Sequence, residues 1–197
     1  VTEATADATV TSATSVPRRR STTRTVVEWA VIIVVALVAA ILIKTYLVEA
    51  YYIPSLSMSP TIKVGDRVLV DKLSYDFGSP HRGDIVVFTK PADDVDPGVK
   101  DLIKRVIGLP GQTIQSLPGG AILIDGHVIA QPWLTPFARS HPGPAIPRMT
   151  IQRGDYYVMG DDRDDSDDSR FFGPIPGRLI VGRAFVRIWP LSRLHWF

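Results

Sequence analysis

Between Val26 and Val48 the chain is apolar apart from Glu28, Lys44 and Thr45, and from Trp29 to Ile43 it carries no charge. Crossing a bilayer takes about 20 predominantly apolar residues, so the pattern predicts a transmembrane helix over residues 26–48. Trp29, Tyr46, Tyr51 and Tyr52 flank it as interfacial aromatics do. Beyond the run the pattern changes. Arg67–Val70, Ile85–Phe88, Leu102–Ile107, Tyr156–Met159 and Leu179–Ile188 are short β-type runs bounded by Gly, Pro and Asp. Ala121–Ile124 and His127–Ile129 flank Asp125-Gly126, a hairpin signal. The expected fold is mostly β: a β domain over 49–197 preceded by one N-terminal transmembrane helix.

Residues 1–25 are rich in Thr, Ser and Ala and predict a disordered tail. Two further stretches lack periodicity. Lys90–Lys100, with three Asp and two Pro, reads as an exposed loop, and Pro132–Pro147, with five Pro, as a loop or cap. Residues 115–150 are the expected smaller insertion or cap region. Arg18, Arg19, Arg20 and Arg24 precede the apolar run, while after Lys44 no basic residue follows until Lys63. The positive-inside tendency places the N-terminus in the cytoplasm and the β domain outside the cytoplasmic membrane, as a single-pass protein. The rival reading is a cleaved signal peptide ending near Val48-Glu49-Ala50. The run exceeds a 7–15-residue signal core, and Glu49 and Tyr51 fit a cleavage site poorly.

Composition narrows the chemistry. Of 197 residues 45% are apolar, enough for a core beyond the helix. With no cysteine, disulfides, zinc–thiolate sites and a cysteine nucleophile are excluded. The net charge of +2 is small and the basic residues are dispersed past the N-terminal cluster, so nucleic acid is not an expected partner.

Ser57, in Tyr52-Ile53-Pro54-Ser55-Leu56-Ser57-Met58-Ser59-Pro60, follows the apolar run by about ten residues and is stiffened by flanking prolines. Alone it reads better as a polar juxtamembrane linker, with Ser55 and Ser59 as rival nucleophiles. In a strand, Lys104 shares a face with Leu102 and Val106, and Arg105 shares the other with Ile103 and Ile107. Both faces are apolar. A buried lysine can give up its proton where arginine cannot, so Lys104 is the candidate base and Arg105 needs a carboxylate. The alternative is an edge strand with both residues solvated. Gly160 to Arg170 holds six Asp between positions 161 and 168. Its register fails an EF-hand, which needs Gly at position 6 and Glu at position 12. It reads either as an internal acid–Arg–Ser network or as a solvated acidic loop. His81, His127, His141 and His195 show no metal-ligand spacing.

These residues resemble the motifs of bacterial type I signal peptidases, membrane-anchored Ser/Lys proteases that remove signal peptides from exported preproteins. The resemblance runs through Ile53–Ile62, Gly65–Leu73, Arg82–Phe88, Leu102–Gly111 and Gly160–Gly173, in order and at compatible spacings. It implies Ser57 as nucleophile and Lys104 as general base. It implies an oxyanion hole of the Ser57 N–H and Ser55 hydroxyl, a type of donor worth about 3 kcal/mol in proteases. Ser166 would orient the lysine. Arg105 with Asp161, and Arg170 with Asp168, would form the structural network. Ile53, Pro54, Ile103 and Ile62 would form pockets for small substrate residues at −1 and −3. No metal or organic cofactor is implied; the partners are preprotein signal peptides and membrane lipid. Three positions depart from the pattern: Leu56 stands where a small or polar residue is usual, and Asp162 and Asp165 where Asn is usual. A bulky Leu56 obstructs the pocket or faces solvent, and the extra acids favour the ammonium form of Lys104. The alternatives are a single-substrate maturation peptidase of the same fold, an inactive membrane-tethered β scaffold, and a self-cleaving repressor, against which the apolar run argues.

Overall fold

The computed structural model describes residues 22–42, 47–91 and 100–197. Helix α1 spans Thr22–Leu42 and is apolar on every side from Trp29 onward: Val31 to Val35 are each more than half exposed, as are Trp29, Leu37 and Ile41. No helix among the described residues is by itself long and apolar enough to cross a membrane. The expected 26–48 span continues across residues 43–46, which lie outside the described residues. Val48, expected to end that span, instead begins the first strand. The tail at 1–21 and most of the expected loop, residues 92–99, also lie outside them.

The chain from Leu42 onward forms its own unit. Its strands are β1 (Val48–Tyr52), β2 (Arg67–Asp71), β3 (Ile85–Thr89), β4 (Asp101–Gly108), β5 (Thr113–Ser116), β6 (Ile122–Ile124), β7 (His127–Val128), β8 (Met149–Thr150), β9 (Asp155–Met159), β10 (Ile175–Pro176), β11 (Ile180–Trp189) and β12 (His195–Trp196). Among the described residues eight strands form one sheet in the order β1-β2-β11-β3-β4-β9-β10, with β12 beside β11. The pairs in it are antiparallel. Four short strands, β7-β6-β5-β8, form a second sheet between residues 113 and 150. The β6–β7 turn is Asp125-Gly126, both with positive φ (52° and 83°), as a tight hairpin requires.

Strand alternation sorts the core. Ile85, Val87 and Ile103 join Ile53, Met58, Ile62, Val68 and Val70 in one buried cluster. Val86, Phe88, Val106 and Val158 form a second with Ile175. Ile107, Ile114, Ile122 and Tyr157 belong to a third, which carries the small sheet. Phe88 and Ile107 are fully buried, each contributing about 2–3 kcal/mol of apolar burial.

Candidate active site

Strand β4 lies between β3 and β9, so the edge-strand reading of Lys104 and Arg105 gives way to burial. Val86 of β3 faces Lys104 across the sheet, and Ile85 faces Arg105. Lys104 is 3% exposed and Arg105 7%. Sequence alternation placed the two cations on opposite faces and left their burial open, and the structure buries both but treats them differently. Arg105 donates through Nε and Nη2 to both carboxylate oxygens of Asp161, at 2.8 and 2.6 Å, and through Nη1 to the Gly83 carbonyl at 2.8 Å. Its guanidinium also lies 4.7 Å from the Trp133 ring centre. Lys104 has no such pairing among the described residues, and burial brings its pKa from 10.5 down to about 8. Asp168, Asp167 and Asp165 pull it back up more weakly, and Arg170 pushes it further down. Desolvation outweighs the acidic surroundings.

Ser57 is 9% exposed in the loop between β1 and β2. This loop is closed by its own backbone: Ser59 N–H donates to Leu56 O at 2.7 Å and Ile62 N–H to Met58 O at 2.9 Å. Met58 and Ile62, fully buried, anchor it to the core. Ser55 Oγ lies 3.4 Å from Ser57 Oγ. Among the described residues the Ser57 N–H donates to no acceptor.

The acidic segment 160–168 holds the serine loop. Its first residue comes one position after Met159, the partner of Arg105 in β9, at the level of Lys104. There Asp162 N–H donates to the Ser57 carbonyl at 3.1 Å. A side chain at Gly160 would place its Cβ 2.4 Å from that carbonyl and 2.2 Å from Ser166 Oγ, so the close approach needs glycine. Ser166 Oγ donates to Asp168 Oδ2 at 2.9 Å, which leaves its lone pairs as acceptors. Asp168 also accepts from Gly160 N–H at 2.9 Å and from Arg170 Nε and Nη2, both at 2.8 Å. Thr61 Oγ1, which no motif flagged, donates to Asp161 at 2.6 Å and ties the serine loop to this network.

Ser57 and Lys104 line one cleft of about 240 Å³, together with Pro54, Ser55, Leu56 and Ile103. Ile53 and Ile62 do not line it; they are buried beneath, 2% and 0% exposed, in the cluster that supports the serine loop. Leu56 is 51% exposed and forms part of the wall rather than a plug. Asp165, Asp167, Asp101, Leu102 and Lys90 complete the lining. Of these the sequence had singled out only Asp165.

A family model described as signal peptidase, peptidase S26, matches residues 26–189. A signal peptidase I of Leptolyngbya laminosa is 44% identical over 81% of this chain and 77% of its own length. A signal peptidase I of Mycobacterium tuberculosis is 34% identical over 90% and 76%. Signal peptidase IB of Staphylococcus aureus is 33% identical over 86% and 92%. The solved signal peptidase I of Enterococcus faecalis is 27% identical, with a TM-score of 0.44 over 53% of this chain and 96% of that one.

Proposed function

This chain belongs to the signal peptidase family, peptidase S26, and from that premise we infer that it is a serine endopeptidase removing signal peptides from preproteins, with Ser57 as nucleophile and Lys104 as general base. The observation that supports the dyad is the shared cleft, lined by Ser57 and by a buried lysine whose pKa is brought to about 8. At pH 8 about half of such lysines are neutral. The neutral amine takes the Ser57 proton as Oγ attacks the carbonyl of the substrate's −1 residue. The Ser57 N–H and the Ser55 hydroxyl receive the developing oxyanion. Lys104 passes its proton to the leaving amine, and an ester on Ser57 remains. Water then attacks the ester, and Lys104 takes and returns a proton in the same way.

Ser166, held by Asp168, presents acceptor lone pairs to the lysine and orients it. Pro54 and Ile103 shape the subsites for small residues, while Ile53 and Ile62 set their floor from below. α1, with the apolar sequence around it, forms a single-pass anchor in the cytoplasmic membrane with the β domain on the outer face. The uniform apolar exposure of α1 supports this, because a helix apolar all round is covered by protein or by lipid. The deciding experiment is cleavage of a preprotein in liposomes by wild type, Ser57→Ala and Lys104→Ala, with the junction read by mass. Wild type alone should cut, after a small residue; equal cleavage by Lys104→Ala would remove the dyad.

A further inference from the structure

Arg187, in β11, is 8% exposed and does not line the cleft of Ser57 and Lys104. Alternation along β11 breaks at this residue: Ala184 and Val186 are buried in step, and Arg187 is buried out of step. The register against β2 shifts between Ala184 and Val186, and again between Arg187 and Trp189. Irregularities of this kind re-aim a side chain.

The Arg187 side chain reaches the serine loop. Its Nη1 donates to the Thr61 carbonyl at 2.6 Å, and its Nε to the Arg193 carbonyl at 2.6 Å. The buried carboxylate of Asp66 lies farther off, 3.5 Å from Nη1. Asp66 has nearer partners in Arg193 Nη1 and the Lys63 N–H, both at 2.9 Å. The short contacts of Arg187 are therefore to carbonyls, and neutralising Asp66 does not account for them. Thr61 is held from two sides. Its hydroxyl donates to Asp161, which Arg105 also holds, and its carbonyl accepts from Arg187. The next residue, Ile62, closes the loop through its N–H on Met58, the neighbour of Ser57. The Pro54 end has its own fastening: Ile53 N–H donates to the Asp66 carbonyl and Gly65 N–H to the Ile53 carbonyl, both at 3.0 Å.

Building on the proteolytic reading above, we propose that Arg187 is a positioning residue for Ser57: by holding the Thr61 carbonyl it fixes the nucleophile's half of the serine loop, without touching substrate. Loss of the guanidinium frees that half and leaves the half that carries Pro54 in place. A nucleophile misplaced by about 1 Å can lose about a hundredfold in rate, so a fastening remote from the cleft acts on the reaction through geometry alone.

The test compares the full-length wild type, Arg187→Met, Arg187→Lys and Arg193→Gln in non-ionic detergent. Hydrogen exchange of the Ser59 and Ile62 amides, read by mass spectrometry on short peptides, reports the loop directly. In Arg187→Met it should quicken about tenfold or more, while β5 and β6 exchange as in wild type. On a preprotein, kcat should fall about tenfold or more with KM near wild type. Arg187→Lys keeps a charge beside Asp66, but an ammonium lacks the fork that spans two carbonyls, so both readouts should move the same way. Arg193→Gln takes the nearer cation from Asp66 and leaves the Arg193 and Thr61 carbonyls on Arg187, so both readouts should stay at wild-type values. Unchanged loop exchange in the Arg187 variants overturns the proposal, as does equal quickening in β5 and β6, which marks general loosening. A matching effect of Arg193→Gln, or a rise in KM at constant kcat, overturns it too. Arg187→Lys decides if Arg187→Met does not fold. If wild type cleaves no preprotein, the proteolytic reading fails, and exchange still decides whether Arg187 holds the loop. If wild type cleaves and exchange is unmoved, this proposal alone fails.

Discussion

Lys104, the proposed general base, also carries a stability cost. Because its proton must be absent for catalysis, kcat/KM should rise with pH along one limb with a pKa of about 8 and level above it. Asp167→Asn removes a charge that favours the ammonium, so the limb should move to lower pH. Asp165→Asn should move it the same way by less, following the order of their effects on Lys104. A limb unmoved in both would mean another group controls the profile. The same shift acts on stability. The lysine titrates at 10.5 when unfolded and at about 8 when folded. Between these values the unfolded chain holds the extra proton, so stability rises with pH through that window. Below about pH 8 the full penalty applies, about 3 kcal/mol. Lys104→Met should therefore raise the denaturant midpoint at pH 7 and flatten its dependence between pH 8 and 10.5, while abolishing cleavage.

At the scale of elements, the serine loop is tied to the 160–168 segment by hydrogen bonds from Asp162 N–H and Thr61 Oγ1, and that segment is itself held by ion pairs. Arg105–Asp161 is buried on both sides, and removing one partner strands the other. Asp161→Ala should destabilise by about 3–5 kcal/mol in denaturant unfolding, and Arg105→Met with Asp161→Leu by much less. Gly160→Ala pushes a Cβ against the Ser57 carbonyl and Ser166 Oγ. Its expected signature is kcat reduced about tenfold or more with KM near wild type, alongside a loss of about 1–3 kcal/mol in stability. This scale is also where the sequence left alternatives open. Alternation around Lys104-Arg105 fitted both a buried and an edge strand, because neighbours in a sheet come from distant segments. Once β3 and β9 flank β4, both cations are enclosed. Solvation of the 160–168 acids divides likewise: Asp161 and Asp168 are buried, while Asp164, Asp165 and Asp167 remain exposed.

For the whole molecule, topology is the open quantity, and the cysteine-free sequence makes it measurable. Ser15→Cys and Ser79→Cys give single thiols on either side of the apolar run, and Ser79 is exposed. A membrane-impermeant maleimide added to intact spheroplasts should label Cys at 79 and leave Cys at 15 unlabelled until lysis. The reverse pattern would place the β domain in the cytoplasm and remove it from exported preproteins.

The chain's own pattern determined the β runs, the Asp125-Gly126 hairpin, the apolar helix and the residue types at the site, because these follow from local periodicity and turn chemistry. β1 was read as part of the apolar run and the residues beyond it, and β8 and β12, of two residues each, carry too little periodicity to be legible. Only the tertiary structure decided which alternating residues are floor and which are wall, placing Ile53 and Ile62 beneath the cleft and Leu56 at its side. Among the described residues it also left Lys104 without the bidentate carboxylate that Arg105 has. Burial and charge balance are sums over everything that surrounds a side chain, and that surrounding exists only after the chain has folded.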